Sequence, residues 1–292
     1  MNNFYSLVGE GLCARVSALG GAIVDASFED IAILRPWGDD GPFSVGQAGS
    51  FPLVPFGNRV AGNVFSFDGR NYQLVPNTNW DRHHLHGDGW QSLWSVVVQK
   101  SSAIELALEH RGPIYTYAAK QQIEIANGLL TLTLSVTNLA ERTMPFGLGH
   151  HPFFPLTPKT TLTAPAQMYW TEKVDFLPDA LDKIPTDLDF SGPRHLPRHW
   201  VNNGFEGWTG SAEIVWPEHG LAAELTAGPE FSRYFIFVSG THFDASFRND
   251  YFCFEPMTHS ADAHHLADLG GLRRLQPGES LSTQFSIKPR KL

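Results

Sequence analysis

Cysteine is nearly absent from the sequence, and this limits the classes of protein that it can encode. Its 292 residues include only Cys13 and Cys253, too few for a disulfide framework. The N-terminal residues Met1 to Phe4 show neither the basic start nor the long apolar stretch of a secretory signal. We therefore expect a cytoplasmic protein with free thiols.

Concentrated positive charge is also missing. The formal net charge is -9, and the sequence contains no run of Lys or Arg. Nucleic acids and anionic membranes both reward clustered cations, so neither is expected as a partner. A small neutral ligand suits this surface better, and we expect the protein to act as a monomer or homodimer.

Segments free of helix breakers are scarce. The 20 prolines and 27 glycines are scattered along the chain and interrupt most windows long enough for an amphipathic helix. With 42% hydrophobic residues, the chain can still bury a large core, and all-β domains of this size are often single. Because no internal repeat or linker divides the sequence, we expect one domain over residues 1–292.

Alternation with a period of two dominates the chain. Within residues 129–136, positions 130, 132, 134 and 136 are leucine or valine and the positions between them are threonine or serine, as expected of a strand with one buried face. Asn127-Gly128 and Asp68-Gly69 each predict a tight hairpin. Further strands are predicted at 94–98, 104–108, 233–239, 251–254 and 281–287. The sequence therefore predicts an all-β, antiparallel sandwich.

Residues 178–197 are rich in Pro and Asp, which predicts a long surface loop. Ordered loops of this length often shape a binding cleft on a β-sandwich. An inert loop is the alternative.

Glu255 is the first candidate for chemistry. It ends the apolar run 251–254 and precedes Pro256, so it is predicted at the end of a buried strand. Without further context, such a glutamate is usually a solvated strand end. In a cleft, however, partial burial would raise its pKa and suit it to act as a general base near neutral pH.

Two histidines complete a possible acid-base site. His151 precedes Pro152-Phe153-Phe154 and could act as a general acid, because imidazole can be protonated and still release its proton near neutral pH. A core histidine satisfied by a backbone carbonyl is the alternative. His86 lies before Gly87, which permits close approach of backbone and ligand.

Arg59 follows the apolar segment 51–58, which contains two prolines and is expected to be buried. A guanidinium beside such a segment needs acceptors, and either sugar hydroxyls or a structural ion pair would supply them. Eight tryptophans add apolar faces that can stack on pyranose rings, although most are expected in the core. Four of them are candidates for this role: Trp80, Trp90, Trp200 and Trp208.

Four motifs, in this order and spacing, resemble the aldose 1-epimerase (galactose mutarotase) family. They are Phe-Pro-Leu-Val-Pro-Phe-Gly-Asn-Arg at 51–59, Leu-His-Gly at 85–87, His-Pro-Phe-Phe at 151–154 and Phe-Glu-Pro-Met-Thr at 254–258. The resemblance runs nearly from end to end of the chain. It implies a large antiparallel β-supersandwich that binds sugar in an open cleft on one sheet.

The resemblance also implies an isomerase that needs no cofactor or metal. Glu255 matches the family's general base, His151 its general acid, and His86 a histidine that hydrogen-bonds near the ring oxygen of the sugar. Arg59 matches the sugar-binding arginine, and Asn58 beside it is expected to bind substrate too. The expected reaction interconverts the α and β anomers of a free aldose, such as galactose or glucose, by ring opening and reclosure.

One position departs from the family pattern. Many members carry an aspartate before a phenylalanine where this chain has Asn202, in the segment 201–205. Asn202 is still expected to bind substrate, but as a neutral acceptor it would form weaker hydrogen bonds, which could change affinity or the preferred epimer. The motifs assign no role to His150, His259, His264 and His265.

Two other classes of function stay open on the sequence. The pattern His84-Leu85-His86 on an all-β scaffold fits a metal-dependent enzyme of cupin type, although it lacks a nearby glutamate. A non-catalytic sugar-binding module would need Arg59 and the aromatic residues but no acid-base pair. A phosphorylated hexose is also conceivable if arginines form a basic rim: Arg194, Arg198, Arg273 and Arg274.

Overall fold

The computed structural model describes residues 4–38 and 41–292. Met1 to Asn3, part of the segment considered above for a secretory signal, lie outside the described residues. Within the described ranges the regular structure is β-strand and short 3-10 helix, as the sequence predicts. No helix there is both long and apolar enough to cross a membrane.

The strands follow one another closely along the chain. In chain order they are β1 (Phe4–Gly9), β2 (Leu12–Ser17), β3 (Ile23–Phe28), β4 (Ile31–Ala32), β5 (Pro52–Leu53), β6 (Arg59–Val60), β7 (Val64–Phe67), β8 (Arg70–Gln73), β9 (His84–Leu85), β10 (Ser95–Gln99), β11 (Ala103–Arg111), β12 (Thr116–Ala126), β13 (Leu129–Asn138), β14 (Met144–Phe146), β15 (Gly149–His150), β16 (Phe153–Pro155), β17 (Thr161–Thr163), β18 (Met168–Lys173), β19 (Leu177–Asp182), β20 (Arg194–His195), β21 (Val201–Glu206), β22 (Ser211–Trp216), β23 (Leu221–Ala227), β24 (Arg233–Val238), β25 (Tyr251–Met257), β26 (Arg273–Leu275) and β27 (Ser280–Lys291). The 3-10 segments are Val45–Gln47, Ala61–Asn63, Gly89–Gln91, Val174–Phe176, Thr186–Leu188, Pro217–His219, Ala263–His265 and Ala267–Gly271.

Two large sheets form the β-supersandwich. One has nine strands in the order β10-β11-β12-β13-β27-β23-β22-β17-β20. The other has eight, in the order β19-β18-β21-β24-β25-β15-β5, with β16 also paired to β25. The smaller sheets are β1-β2-β3-β4, β14-β26, β6-β9 and β7-β8. The prediction of one domain over residues 1–292 stays a prediction.

The predicted hairpins are confirmed. Asn127 and Gly128 join β12 to β13, and Asp68 and Gly69 join β7 to β8. All four residues have positive φ, as a two-residue hairpin turn requires. The alternation on β13 is also confirmed, because its leucines and valine at 130, 132, 134 and 136 are all buried in the core.

Strand β25 is buried along its whole length and separates the core from the opposite face of the eight-stranded sheet. Phe252 and Phe254 point into the core, where they contact Phe154 and Tyr234. Cys253 and Glu255, which alternate with them along the strand, therefore face the other way. This alternation directs Glu255 to the face of the sheet that carries the site described below.

The structure corrects two predictions of local structure. Glu255 does not end its strand, because β25 continues to Met257 and stays paired with β24 through Arg233. On its other side, β25 pairs with β16 at residues 251–253 and with β15 at Met257. Between these two pairings, Pro256 has no partner on this side of β25, so its missing N–H costs no hydrogen bond of the sheet.

Residues 178–197 are not one long loop. They contain most of β19, which lies at the edge of the eight-stranded sheet, and β20, which lies at the edge of the nine-stranded sheet. Edge strands bury little on either face, so their sequence lacks the alternation that would have predicted them.

Candidate active site

A cavity of about 260 Å³ opens on the face of the eight-stranded sheet to which Glu255 points. It brings together all six site residues predicted from the sequence. Its walls are formed by Gly46, Phe51, Asn58, Arg59, Trp80, Leu85, His86, Trp90, His151, Phe153, Asn202, Phe235, Phe237, Phe243, Asp244, Tyr251 and Glu255.

Three adjacent strands form the floor of the cavity. Glu255 on β25 lies opposite Phe235 on β24. Two residues further along β24, Phe237 lies opposite Asn202 on β21. Because alternate residues of a strand share a face, the register places the side chains of Glu255, Phe235, Phe237 and Asn202 on one surface.

Glu255 and His151 form a close pair at one end of this floor. Glu255 Oε1 lies 3.2 Å from His151 Nε2, and both residues are buried. Glu255 Oε2 has no hydrogen-bond partner among the described residues. A buried carboxylate oxygen is costly to leave unpaired, so this environment disfavours the ionised form of Glu255.

The imidazole of His151 is held in an aromatic cluster. It packs against the rings of Phe51, 4.5 Å away, and Phe153, 4.6 Å away, and these two rings also contact each other at 6.0 Å. Phe51 also stacks on Trp90, and the Arg35 guanidinium lies 3.8 Å from the centre of the Phe153 ring. The cluster restricts the imidazole, whose Nε2 lies beside Glu255.

Burial decides which protonation states the pair favours. Desolvation raises the pKa of Glu255 to about 8, against the opposing effect of Arg59. Desolvation, reinforced by the positive charge of Arg35, lowers the pKa of His151 to about 3. The pair therefore favours a neutral carboxyl beside a neutral imidazole. One proton moved from oxygen to nitrogen converts this state into carboxylate and imidazolium.

His86 faces the cavity as a neutral hydrogen-bond donor. Its Nδ1 accepts the backbone N–H of Asn58 at 2.9 Å, so the ring proton must lie on Nε2. Burial, with a smaller effect of His151, holds the pKa of His86 well below its usual value. The ring of His86 meets that of His151 edge to face, with centroids 5.1 Å apart.

The backbone around His86 explains why a glycine follows it. Gly87 has a φ of 64°, and a Cβ on it would lie 2.4 Å from Cδ of Pro55. His86 N–H donates to the Asn58 carbonyl, and the Asn58 side-chain oxygen accepts from Arg59 N–H. Asn58 lines the cavity as predicted, but these hydrogen bonds make it chiefly a support for its neighbours.

Arg59 combines the two roles considered for it. Its Nε–H donates to Asp81 Oδ2 at 2.7 Å in a buried ion pair, and the guanidinium lies 5.0 Å from the centre of the Phe176 ring. Because Asp81 takes Nε, the two terminal nitrogens are the ones that can reach a ligand in the cavity.

The four histidines to which the motifs assigned no role have structural contacts. His259 accepts the N–H of Gly57 with Nε2 and bonds the Ser260 carbonyl through Nδ1, which ties segment 51–59 to the end of β25. His264 bonds the hydroxyl of Tyr115. The other two lie apart from the cavity: His150 is buried against Phe285, and His265 contacts Asp262.

The pattern His84-Leu85-His86 does not form a cupin-type metal site. His84 bonds the Val75 carbonyl through Nδ1 and packs against Phe56, whereas His86 faces the cavity. The left-handed backbone of His86 explains the divergence, because β9 ends at Leu85. A different set of possible ligand atoms, from His151, Cys253 and Glu255, lies within 4.8 Å of one another.

Several expected contributors lie away from the cavity. Its described lining includes none of the four arginines considered as a basic rim and no residue of 178–197. Arg274 instead pairs with Asp68, and Arg194 donates to the Asp189 carbonyl. Of the tryptophans, Trp80 and Trp90 line the cavity, whereas Trp208 packs in the core against Tyr234.

Sequence reasoning missed several residues of the site. Asp81 pairs with Arg59, Glu172 bonds Asn202, and Phe243 and Asp244 line the cavity. Only Asp81 carried a signal, since it is an acidic residue just before the histidine run at 83–86. The others lie in segments whose spacing says nothing about the site.

The chain is similar to known proteins along nearly its whole length. The model of the aldose 1-epimerase family matches residues 4–288. Uncharacterized protein YphB of Escherichia coli (strain K12) is 44% identical over 285 residues, which cover 97% of this chain and 98% of that protein.

Solved structures show the same fold. The crystal structure of a candidate aldose 1-epimerase from Escherichia coli K12 has a TM-score of 0.96 and 43% identity, and covers 100% of both chains. A galactose mutarotase-like protein from Clostridium acetobutylicum has a TM-score of 0.85 at 18% identity, covering 98% of this chain and 95% of that one. The chain therefore belongs to the aldose 1-epimerase family.

Proposed function

We propose that this protein is an aldose 1-epimerase that interconverts the α and β anomers of a free aldose, such as galactose or glucose. The observation that carries the proposal is the contact of 3.2 Å between Glu255 Oε1 and His151 Nε2 at the end of a cavity of sugar size. Family membership supports the same reaction class.

The chemistry needs one base and one acid. Glu255 takes the proton from the C1 hydroxyl while His151 protonates the ring oxygen, and the bond between C1 and the ring oxygen breaks to give the open-chain aldehyde. Rotation about the C1–C2 bond exposes the other carbonyl face. Reclosure returns both protons with the roles reversed and yields the other anomer. No electrons are transferred, so the reaction calls for no nicotinamide or flavin.

The surrounding residues assist this proton exchange. A sugar hydroxyl that donates to the Glu255 carboxylate stabilises it and so favours the ionised form of the pair. His86 can donate from Nε2 to the ring-oxygen side of the sugar, and Arg59 can donate from its terminal nitrogens. Asn58 and Asn202 complete the proposed substrate-binding set.

The direct test is polarimetric. Freshly dissolved α-anomers of glucose, galactose, xylose and arabinose are followed to anomeric equilibrium, with and without EDTA-treated protein. We expect acceleration that survives the chelator, and the relative rates will rank the sugars. A protein that binds these sugars without accelerating mutarotation would instead be a sugar-binding module.

The pH dependence of kcat/KM tests whether the pair works with a single proton. Given pKa values of about 8 for Glu255 and about 3 for His151, the pair holds one proton between these limits and none above them. We therefore expect a constant kcat/KM between about pH 5 and about pH 7 and a fall of about tenfold per pH unit above about pH 8. Polarimetry, corrected for uncatalysed mutarotation at each pH, measures this. A kcat/KM that rises through pH 8 would show Glu255 acting as an independent base.

Arg59→Ala is expected mainly to raise KM, by about tenfold to about a hundredfold, with little change in kcat. The guanidinium binds substrate and transition state alike, so its loss affects binding more than turnover. Arg59→Lys is the matched control, because lysine can keep the ion pair with Asp81 but loses the fork of terminal nitrogens. An unchanged KM in both variants would make Arg59 purely structural.

The proposal also covers the location of the protein, its oligomeric state and its partners. We place the enzyme in the cytoplasm, acting on a small sugar as a monomer or homodimer, without a nucleic acid or membrane partner. The free thiols of Cys13 and Cys253 are consistent with a reducing compartment.

A further inference from the structure

The side-chain amide of Asn202 is held in one orientation by its neighbours. Its Nδ2 donates to Glu172 Oε1 at 2.5 Å and lies 3.5 Å from the Phe176 carbonyl oxygen. A carboxylate oxygen and a carbonyl oxygen are both hydrogen-bond acceptors, so the nitrogen must face them. The carbonyl oxygen Oδ1 is then the group that Asn202 presents to the cavity that it lines.

Glu172 is itself fixed. Its second oxygen accepts the indole N–H of Trp200 at 2.7 Å. The indole ring packs against Phe176, Phe237 and Phe243, with centroids 5.4 to 5.5 Å apart. Hydrogen bonds to a charged acceptor are stronger than neutral ones, so two such bonds from packed donors keep the carboxylate in place.

Asn202 lies on the same floor as the base but not beside it. Strand β24 separates β21 from β25, which puts the two strands about 10 Å apart, and the offset of two residues along β24 brings the separation of the Asn202 and Glu255 backbones to about 12 Å. A sugar whose C1 hydroxyl meets Glu255 would therefore present a different hydroxyl, across its ring, to Asn202 Oδ1.

We propose that Glu172 is a positioning residue that keeps the Asn202 amide turned so that this part of the cavity offers only a hydrogen-bond acceptor. The site thereby selects sugars with a hydroxyl donor at that position and rejects substituents that can only accept. This inference rests on the proposed function, because it concerns the substrate of the same site.

Glu172→Gln is expected to reverse the amide. The Trp200 indole N–H still requires an acceptor and keeps the glutamine oxygen, so the glutamine NH2 faces Asn202 and favours Oδ1, not Nδ2, on that side. We expect KM for the best aldose to rise about tenfold with little change in kcat, since a ground-state hydrogen bond is weakened. The monodeoxyfluoro derivatives of that aldose probe the selectivity, because fluorine accepts but cannot donate. The derivative altered at the hydroxyl that meets Asn202 should be discriminated against less by the variant than by the wild type.

Exchanging the carboxylate of Glu172 and the amide of Asn202 should restore substrate binding. Asn202→Asp alone places two carboxylates in contact and should impair the enzyme. In the double variant Glu172→Gln, Asn202→Asp, the glutamine amide can donate to the carboxylate introduced on β21, so the cavity again meets an acceptor. We expect the double variant to return to within about threefold of the wild-type KM, although each single variant is impaired. Losses that simply add in the double variant would overturn the proposal.

Hydrogen exchange of the Asn202 side-chain amide gives a readout that does not depend on turnover. Its signals in ¹⁵N-labelled protein are assigned by their loss in Asn202→Asp. Slow exchange in the wild type that becomes fast in Glu172→Gln supports the positioning role of Glu172. This readout holds even if the protein turns over no aldose, a result that would refute the proposed function but not the positioning role. Equal exchange rates in the two proteins would overturn the role of Glu172.

Discussion

Replacing Glu255 with glutamine is expected to lower kcat for mutarotation by at least about a hundredfold, the usual contribution of a well-placed general base. The amide keeps the shape of the side chain but cannot take a proton from the C1 hydroxyl. Because burial raises the pKa of Glu255 to about 8, the resting side chain is a neutral carboxyl, which glutamine mimics closely. We therefore expect sugar binding and the unfolding temperature to stay near their wild-type values. Polarimetry and thermal unfolding measure these effects.

Cys253→Ala is the matched control for this substitution. Cys253 lies two residues before Glu255 on the same face of β25 and is equally buried, but it has no role in the proposed chemistry. Its replacement should change kcat by less than about threefold, the scale of an indirect packing effect. If Glu255→Gln also kept a near-normal rate, Glu255 would be removed from the mechanism. A lectin-like module would show unchanged sugar binding in both variants and no turnover in any of them.

The sequence was sufficient for the fold where local signals are strong. Asn127-Gly128 and Asp68-Gly69 specify turns through residues that tolerate positive φ, and the alternation on β13 reports one buried face. Prediction failed where pairing between distant segments decides the structure. The continuation of β25 past Glu255 depends on β24, and the edge strands β19 and β20 depend on sheets formed by other parts of the chain.

The candidate site likewise has one part that the sequence predicted and another that only the structure shows. The sequence identified the groups with distinctive chemistry, and the structure brings Glu255, His151, His86 and Arg59 to one cavity. It did not reveal the residues that bond to Arg59 and Asn202. Asp81 bonds to Arg59 across 22 positions of the chain, and Glu172 bonds to Asn202 across 30. No spacing rule connects residues so far apart, because their proximity arises only when the sheets assemble.

Substitution of His151 should also lower kcat by at least about a hundredfold, provided that the aromatic cluster survives. We expect this loss in both His151→Asn and His151→Phe, since neither can protonate the ring oxygen. Phenylalanine can still pack against Phe51 and Phe153, so this variant should keep its unfolding temperature, whereas asparagine leaves a void in the aromatic cluster. Comparing the two separates lost chemistry from lost packing.

The double variant Glu255→Gln, His151→Phe tests whether the two side chains act as one unit. A pair that shares a single proton is disabled by either substitution, so the double variant should be no slower than the slower single variant. If the losses multiplied instead, to about ten-thousandfold or more, each group would be contributing its own catalytic factor. Such a result, together with a kcat/KM that rises through pH 8, would refute the shared proton and leave Glu255 and His151 as independent base and acid. A sub-multiplicative loss with a plateau below pH 8 supports the coupled pair that burial favours.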